Sequence, residues 1–187
     1  QIGVPSEIKA QEFRVGLTPA SVQELTNHVH EVLVQDHAGF GAGFDNEDYS
    51  NAGAKITSTA EDVFNAADMI IKVKEPLKNE VTMLRENQIL FTYLHLAAAP
   101  ELTEGLIKSN AICIAYETVT DELRRLPLLA PMNAVAGRMS IQAGAHSLEK
   151  PQQGRSLLLG GAPGVIPSNV LILGGGVVGE NAAIIAT

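Results

Sequence analysis

Short apolar runs alternate along this chain with segments of helical spacing, and that alternation admits few folds. The runs lie at residues 2–4, 31–34, 69–73, 89–94, 111–115 and 170–173. Strands that alternate with helices build parallel βαβ units, because a parallel neighbour needs a crossover long enough to hold a helix. Several helix starts carry their own chemistry. Thr18 ahead of Pro19 supplies a capping hydroxyl and a residue suited to the first turn, with Val22, Leu25 and Val29 following on one face. Ser58 and Glu61 have the capping-box spacing. Pro100 opens a further helix, with Glu101 and Glu104 near the positive end of its dipole and Leu102 and Leu106 sharing a face. Met132, Val135, Met139, Gln142, Ala143 and His146 predict a long helix, residues 150–168 read as loop with at best a short strand at 157–159, and 177–186 start a last helix.

The expected architecture is α/β: a parallel-sheet, Rossmann-like domain over residues 1–130, then a linking helix and the opening βα unit of a second Rossmann-type domain over residues 131–187. The second part is expected to be incomplete. The run at 170–173 is apolar on both faces, and one strand leaves its backbone groups unpaired. A longer natural chain, or a partner supplying the missing layers, is the expectation.

Composition narrows the partners. Of 187 residues, 45% are hydrophobic and 18% charged, the balance of a folded chain rather than a disordered one. Thirteen basic against 21 acidic side chains give a net charge of −8, which argues against nucleic acid or a membrane surface as partner. Cys113 is the only cysteine, which excludes an internal disulfide and a cysteine-based zinc cage and fits a reducing compartment; it reads as packing inside an apolar strand. The first residues lack the order of a signal peptide and no apolar run reaches the ~18 residues of a membrane span, so the cytoplasm is expected. His28, His30 and His37 lack ligand spacing, and no metal is expected.

One motif and four side chains could carry chemistry. Gly174-Gly175-Gly176-Val177-Val178-Gly179 follows an apolar run and precedes a helical one. In that context the first glycine makes the tight turn, the second lets backbone approach a pyrophosphate, the third lets helix and strand pack, and the helix N-terminus favours the anion. A glycine-rich turn without a ligand is the plain alternative. The acid that would hold the ribose is expected about 20 residues further on, past Thr187, so these residues leave NAD and NADP both open. Arg14, after the first strand, offers a fork for a small carboxylate. Lys72 and Lys74 alternate at the end of the 69–73 run, and His95 follows the 89–94 run where a proton shuttle near neutral pH would be useful. The plain readings are a solvated arginine, a charged strand end and a packed histidine. Together an anion anchor, a cation for a carbonyl oxygen and a proton shuttle suit oxidation of an amino or hydroxy acid by hydride transfer.

The chain resembles the alanine dehydrogenase family, within the superfamily it shares with the nucleotide-binding subunit of proton-translocating transhydrogenase. The resemblance rests on Ile2-Gly3-Val4-Pro5, Glu7-Ile8-Lys9, Arg14-Val15-Gly16-Leu17-Thr18-Pro19, Lys72-Val73-Lys74-Glu75-Pro76, Phe91-Thr92-Tyr93-Leu94-His95-Leu96-Ala97, Ala136-Gly137-Arg138, Leu159-Gly160-Gly161, Pro163-Gly164-Val165 and the glycine turn. It implies a cytoplasmic oxidoreductase of amino-acid catabolism: NAD-dependent, reversible oxidative deamination of L-alanine to pyruvate and ammonium. By the same resemblance Arg14 holds the substrate carboxylate, Lys74 is a second substrate ligand with a catalytic role in polarising the keto or imino group, and His95 is the acid/base. Gly174, Gly176, Val177, Val178 and Gly179 would bind NAD. Asn133 stands where the family carries a cofactor-contacting serine; its amide both donates and accepts. A homo-oligomer, a hexamer, is also implied. Family members continue past this point with the rest of the nucleotide sheet and an acidic catalytic residue, so the 187 residues alone are expected to be inactive. The transhydrogenase subunit and a non-catalytic, partner-binding fragment are the competing readings; Lys74 and the Tyr93–Ala97 stretch favour the deaminating enzyme.

Overall fold

A computed structural model describes residues 1–187. The chain divides into two compact units, Gln1–Val119 and Thr120–Thr187. The first is an α/β unit of Rossmann-like type built on a six-stranded, all-parallel sheet. Its strands are β1 (Ile2–Val4), β2 (Val32–Gln35), β3 (Lys55–Thr57), β4 (Met69–Ile71), β5 (Ile89–Thr92) and β6 (Ile112–Ala115). Their order is β3-β2-β1-β4-β5-β6, so the sheet grows one way from β1 and then the other way from β4. Open sheets of this kind bind ligands outside the carboxyl ends of the strands where the order reverses.

Alternation in β1 sends neighbouring residues to opposite cores. Val4 packs with Val32 and Val34 against α1 (Pro19–Asn27) and α2 (Asn46–Asn51), in a cluster holding Val22, Tyr49 and Ala52. On the other face Ile70 and Leu90 pack with Val63, Phe64 and Ala67 of α3 (Ala60–Ala66), and with Leu84 and Leu106. Leu84 follows α4 (Lys78–Val81), and Leu106 lies on α5 (Pro100–Ser109). Gly3 lets α3 come close: a methyl there would sit 2.6 Å from Val63 Cγ1 and 2.7 Å from Ala67 Cβ. Cys113 packs at the edge of this second core, and burial pushes its thiol up, as suits a packed residue.

The helix starts follow from local hydrogen bonds, with two corrections to the sequence reading. Thr18 Oγ1 accepts from Ser21 N at 3.3 Å with Pro19 as the first helical residue, but α1 stops at Asn27, and Val29 lies outside it at φ +65° and 90% exposed. The capping box falls one residue later than Ser58 and Glu61: Thr59 Oγ1 accepts from Asp62 N at 3.1 Å, and Asp62 Oδ2 accepts from Thr59 N at 3.2 Å. That phase puts Val63 and Phe64 inward, so burial decides between two equally spaced boxes.

In the second unit a long helix, α6 (Ala130–Ser147), packs on α7 (Val177–Ala186). Contact is closest at Gly137, where a methyl would run into the carbonyl oxygen of Val178, and Arg138 Nε donates to Asn181 Oδ1 at 3.1 Å. Residues 170–173, expected as a strand, form none, nor do 157–159. A strand exists only through a ladder, and no neighbouring strand within the unit pairs with 170–173. No helix is long and apolar enough to cross a membrane.

Candidate active site

Because every strand runs the same way, whatever follows β1, β4, β5 or β6 emerges at one edge of the sheet. Arg14 lies in the β1–α1 loop, Lys74 three residues beyond β4, His95 three beyond β5. Backbone bonds extend the ladder past the strand ends: Lys72 N donates to Phe91 O at 3.1 Å, Tyr93 N to Val73 O at 3.2 Å, and Thr92 Oγ1 to Lys74 O at 2.9 Å. The segments carrying Lys74 and His95 are thereby tied together.

Carboxylates organise the cations. Glu12 grips Arg14 with two parallel bonds, from Nε at 2.8 Å and Nη2 at 2.5 Å, and also accepts from Arg14 N at 2.9 Å. Arg14 pulls the Glu12 carboxyl down to about 2, the nearby Lys74 ammonium assisting, and Glu12 in turn raises the guanidinium. Lys74 itself is half-buried and forms no ion pair. Its charge acts on two carboxyls, Glu12 and Glu75. Burial works to raise Glu75, yet the bond from Lys9, its own backbone N–H and the charges of Lys9 and Lys74 hold it below the usual carboxylate range.

Lys72 behaves differently from Lys74. Lys72 is buried, with its Nζ 3.2 Å from Glu7 Oε2 and 2.8 Å from Glu80 Oε1.

His95 sits in a left-handed backbone conformation, φ +51° and ψ +38°, uncommon for a residue with a side chain. Glu117, just past β6, holds that turn: its carboxylate accepts from His95 N at 2.7 Å and from Leu94 N at 3.1 Å. Burial acts to raise Glu117, but these backbone donors and the neighbouring imidazole lower it overall. The His95 ring is exposed and stacks on Tyr93, with centroids 6.0 Å apart and planes 12° apart. Tyr93 leans edge-on to Tyr116 at 4.9 Å and interacts electrostatically with Arg14. Arg14, Lys74 and His95 are therefore linked in a chain through Glu12 and Tyr93 at one sheet edge.

In the second unit the glycine turn shows why its residue types are needed. Gly174 adopts φ +104°, and a methyl on Gly179 would run into the Gly174 carbonyl oxygen. Methyls on Gly175 and Gly176 would meet nothing within 4 Å, so this backbone is open to approach. Gly176 caps α7 without a side-chain bond, leaving the first amides of the helix to an anion. This cradle fits a dinucleotide pyrophosphate. Val177 and Val178 form the first turn of α7, and Asn133 lies half-buried in the first turn of α6.

Residues 3–136 match the family model described as alanine dehydrogenase/PNT, N-terminal domain, and residues 140–187 the corresponding C-terminal domain. The chain belongs to the alanine dehydrogenase/PNT family. It is 56% identical to the alanine dehydrogenase of Halomonas elongata, over 98% of this chain and 49% of that protein. Against the Bacillus subtilis alanine dehydrogenase it is 54% identical, over 97% of this chain and 48% of the relative. A solved L-alanine dehydrogenase structure superposes with a TM-score of 0.90 at 55% identity, covering 99% of this chain and 51% of the other. The transhydrogenase from Sinorhizobium meliloti, at 23% identity and a TM-score of 0.79, shares the fold. The chain spans about half the length of the curated relatives it matches.

Four acids at this edge have no role assigned to them from sequence. Glu7, Glu12, Glu75 and Glu117 each hold a cation or a backbone turn at the sheet edge. Of these, Glu12 alone carried a local signal, two residues before Arg14; Glu117 reaches its partners across 22 residues and Glu7 across 65.

Proposed function

We propose that this chain contributes the substrate side and the opening of the cofactor side of an NAD-dependent alanine dehydrogenase, which interconverts L-alanine with pyruvate and ammonium. The observation that carries this reading is that Arg14, Lys74 and His95 all follow strand ends at one sheet edge and interact in a chain through Glu12 and Tyr93, with Arg14 and Lys74 beside the β1/β4 pair where the strand order reverses. In this reading Arg14 holds the substrate carboxylate, with Glu12 fixing the guanidinium plane from its Nε side. Lys74, a cation without an ion pair, steadies negative charge on the keto oxygen of pyruvate or on the hydroxyl oxygen of the hydrated imine. His95 exchanges protons with the water that adds to the imine, its ring presented by the Tyr93 stack and the Glu117-held turn. The glycine turn would hold NAD through Gly174, Gly176 and Gly179, with Val177, Val178 and Asn133 as further contacts. NAD, when bound, supplies the acceptor for the hydride leaving the alanine α-carbon. The single cysteine fits a reducing compartment, and the cytoplasm and a homo-oligomeric, hexameric assembly belong to the same proposal.

The test uses a full-length protein carrying this chain. Alanine-dependent NADH formation is expected, and His95→Ala should lower kcat by about 10² or more while NAD affinity stays within about twofold. Hydride exchange between nucleotides without alanine turnover would point instead to the transhydrogenase reading. Equal loss of turnover and cofactor affinity in His95→Ala would make the histidine structural.

A further inference from the structure

We propose that two ion pairs reaching across the sheet edge, Glu7–Lys72 and Lys9–Glu75, form a clamp that sets the separation of Arg14 from Lys74. The inference rests on the function proposed above, and it makes these four residues positioning residues for a small carboxylate substrate.

The β1–α1 loop has no helix or strand between Pro5 and Thr18, so its course depends on side-chain contacts. Glu7 Oε1 accepts from Val73 N at 2.7 Å while Glu7 Oε2 meets Lys72 Nζ at 3.2 Å. Two residues on, Lys9 pairs with Glu75. Residues 72, 73 and 75 are thus fastened to residues 7 and 9, on both sides of Lys74, and the fastened loop goes on to deliver Arg14. Behind them Glu80 takes the Lys72 ammonium at 2.8 Å and accepts from Leu77 N at 2.8 Å, which locks the clamp to α4.

Energetics favours positioning over stabilisation as the reason for this arrangement. The side chains of Glu7, Lys72 and Glu80 are only 1–3% exposed, and taking such charges out of water costs about as much as their attraction returns. An apolar filling would stabilise equally well, whereas directed bonds between two loops fix a distance.

Charge reversal separates the two roles without relying on the buried members. In the full-length protein, Lys9→Glu and Glu75→Lys should each raise the KM for alanine about tenfold, with the KM for NAD within about twofold and an unchanged melting temperature. The double swap Lys9→Glu/Glu75→Lys should recover alanine KM to within about threefold of wild type. Single variants with unchanged alanine KM, or a folded double swap that fails to recover, would overturn the clamp. A structural readout on the 187-residue chain stands apart from activity: Glu7→Ala and Lys9→Glu should each speed amide exchange at residues 73–75 and 12–14. If the wild-type protein turns over no alanine, the functional reading falls, and exchange then decides the clamp: faster exchange at both segments supports it, and unchanged exchange in the folded Lys9→Glu chain overturns it.

Discussion

The two units of the chain treat their apolar residues in opposite ways. In the first, Val4, Val34, Phe64 and Leu90 are fully buried between a complete sheet and helices on both faces. In the second, Ile166, Leu171 and Leu173 are 84–88% exposed, and a cavity of about 550 Å³ opens beside Ile141, Leu148, Ile172 and Ala182. The difference teaches what a parallel sheet requires. An apolar run forms a strand only with neighbours to complete its ladder, whereas the glycine turn keeps its local geometry without one.

The sharpest test of the contrast compares two truncations. Phe64→Ala should cost about 3–5 kcal/mol in denaturant unfolding of the first unit, while Leu171→Ala should change stability by less than about 0.5 kcal/mol. Similar costs for both would erase the distinction. Next in size, Gly137→Val should part α6 from α7, because the added side chain has the Val178 backbone in its way. Helical circular dichroism should fall while the protection of first-unit amides persists; unchanged helicity would show that α6 and α7 do not depend on close approach.

A smaller effect probes the charged edge. Glu12 has its carboxyl depressed to about 2, so the folded state binds fewer protons there than the unfolded chain, whose ordinary value is 4.5. The stabilisation from the Glu12–Arg14 pair is therefore complete above 4.5 and is lost as pH falls toward about 2. Glu12→Gln should be less stable than wild type at pH 7, with the gap closing over that window. A gap that is constant with pH would show that the pair contributes nothing through ionisation.

Much of the fold is legible because its signals are local. The Thr18-Pro19 start and the Pro100 start of α5 are read from neighbouring residues, and β1, β4, β5 and β6 from apolar runs. β3 escaped because Lys-Ile-Thr at a sheet edge is short and partly polar, and pairing with β2 rather than hydrophobicity makes it a strand. The run at 170–173 misled for the reverse reason: its residues suit a buried strand, but composition supplies no ladder. At the site, Arg14, Lys74 and His95 stand out by following strands. Apart from Glu12, the acids at this edge do not, since the contacts of Glu7 with Lys72 and of Glu117 with His95 follow from topology rather than from spacing. His95's left-handed turn is equally invisible in sequence, because it is imposed by Glu117 from the neighbouring strand end.

The central claim is that Arg14 anchors the carboxylate of a small keto or amino acid at this edge. It is tested most directly by measuring pyruvate affinity of a full-length protein carrying Arg14→Lys. Replacing a planar fork by a point charge should weaken pyruvate about tenfold or more while leaving NAD affinity within about twofold. Pyruvate affinity equal to that of the wild type would contradict the assignment.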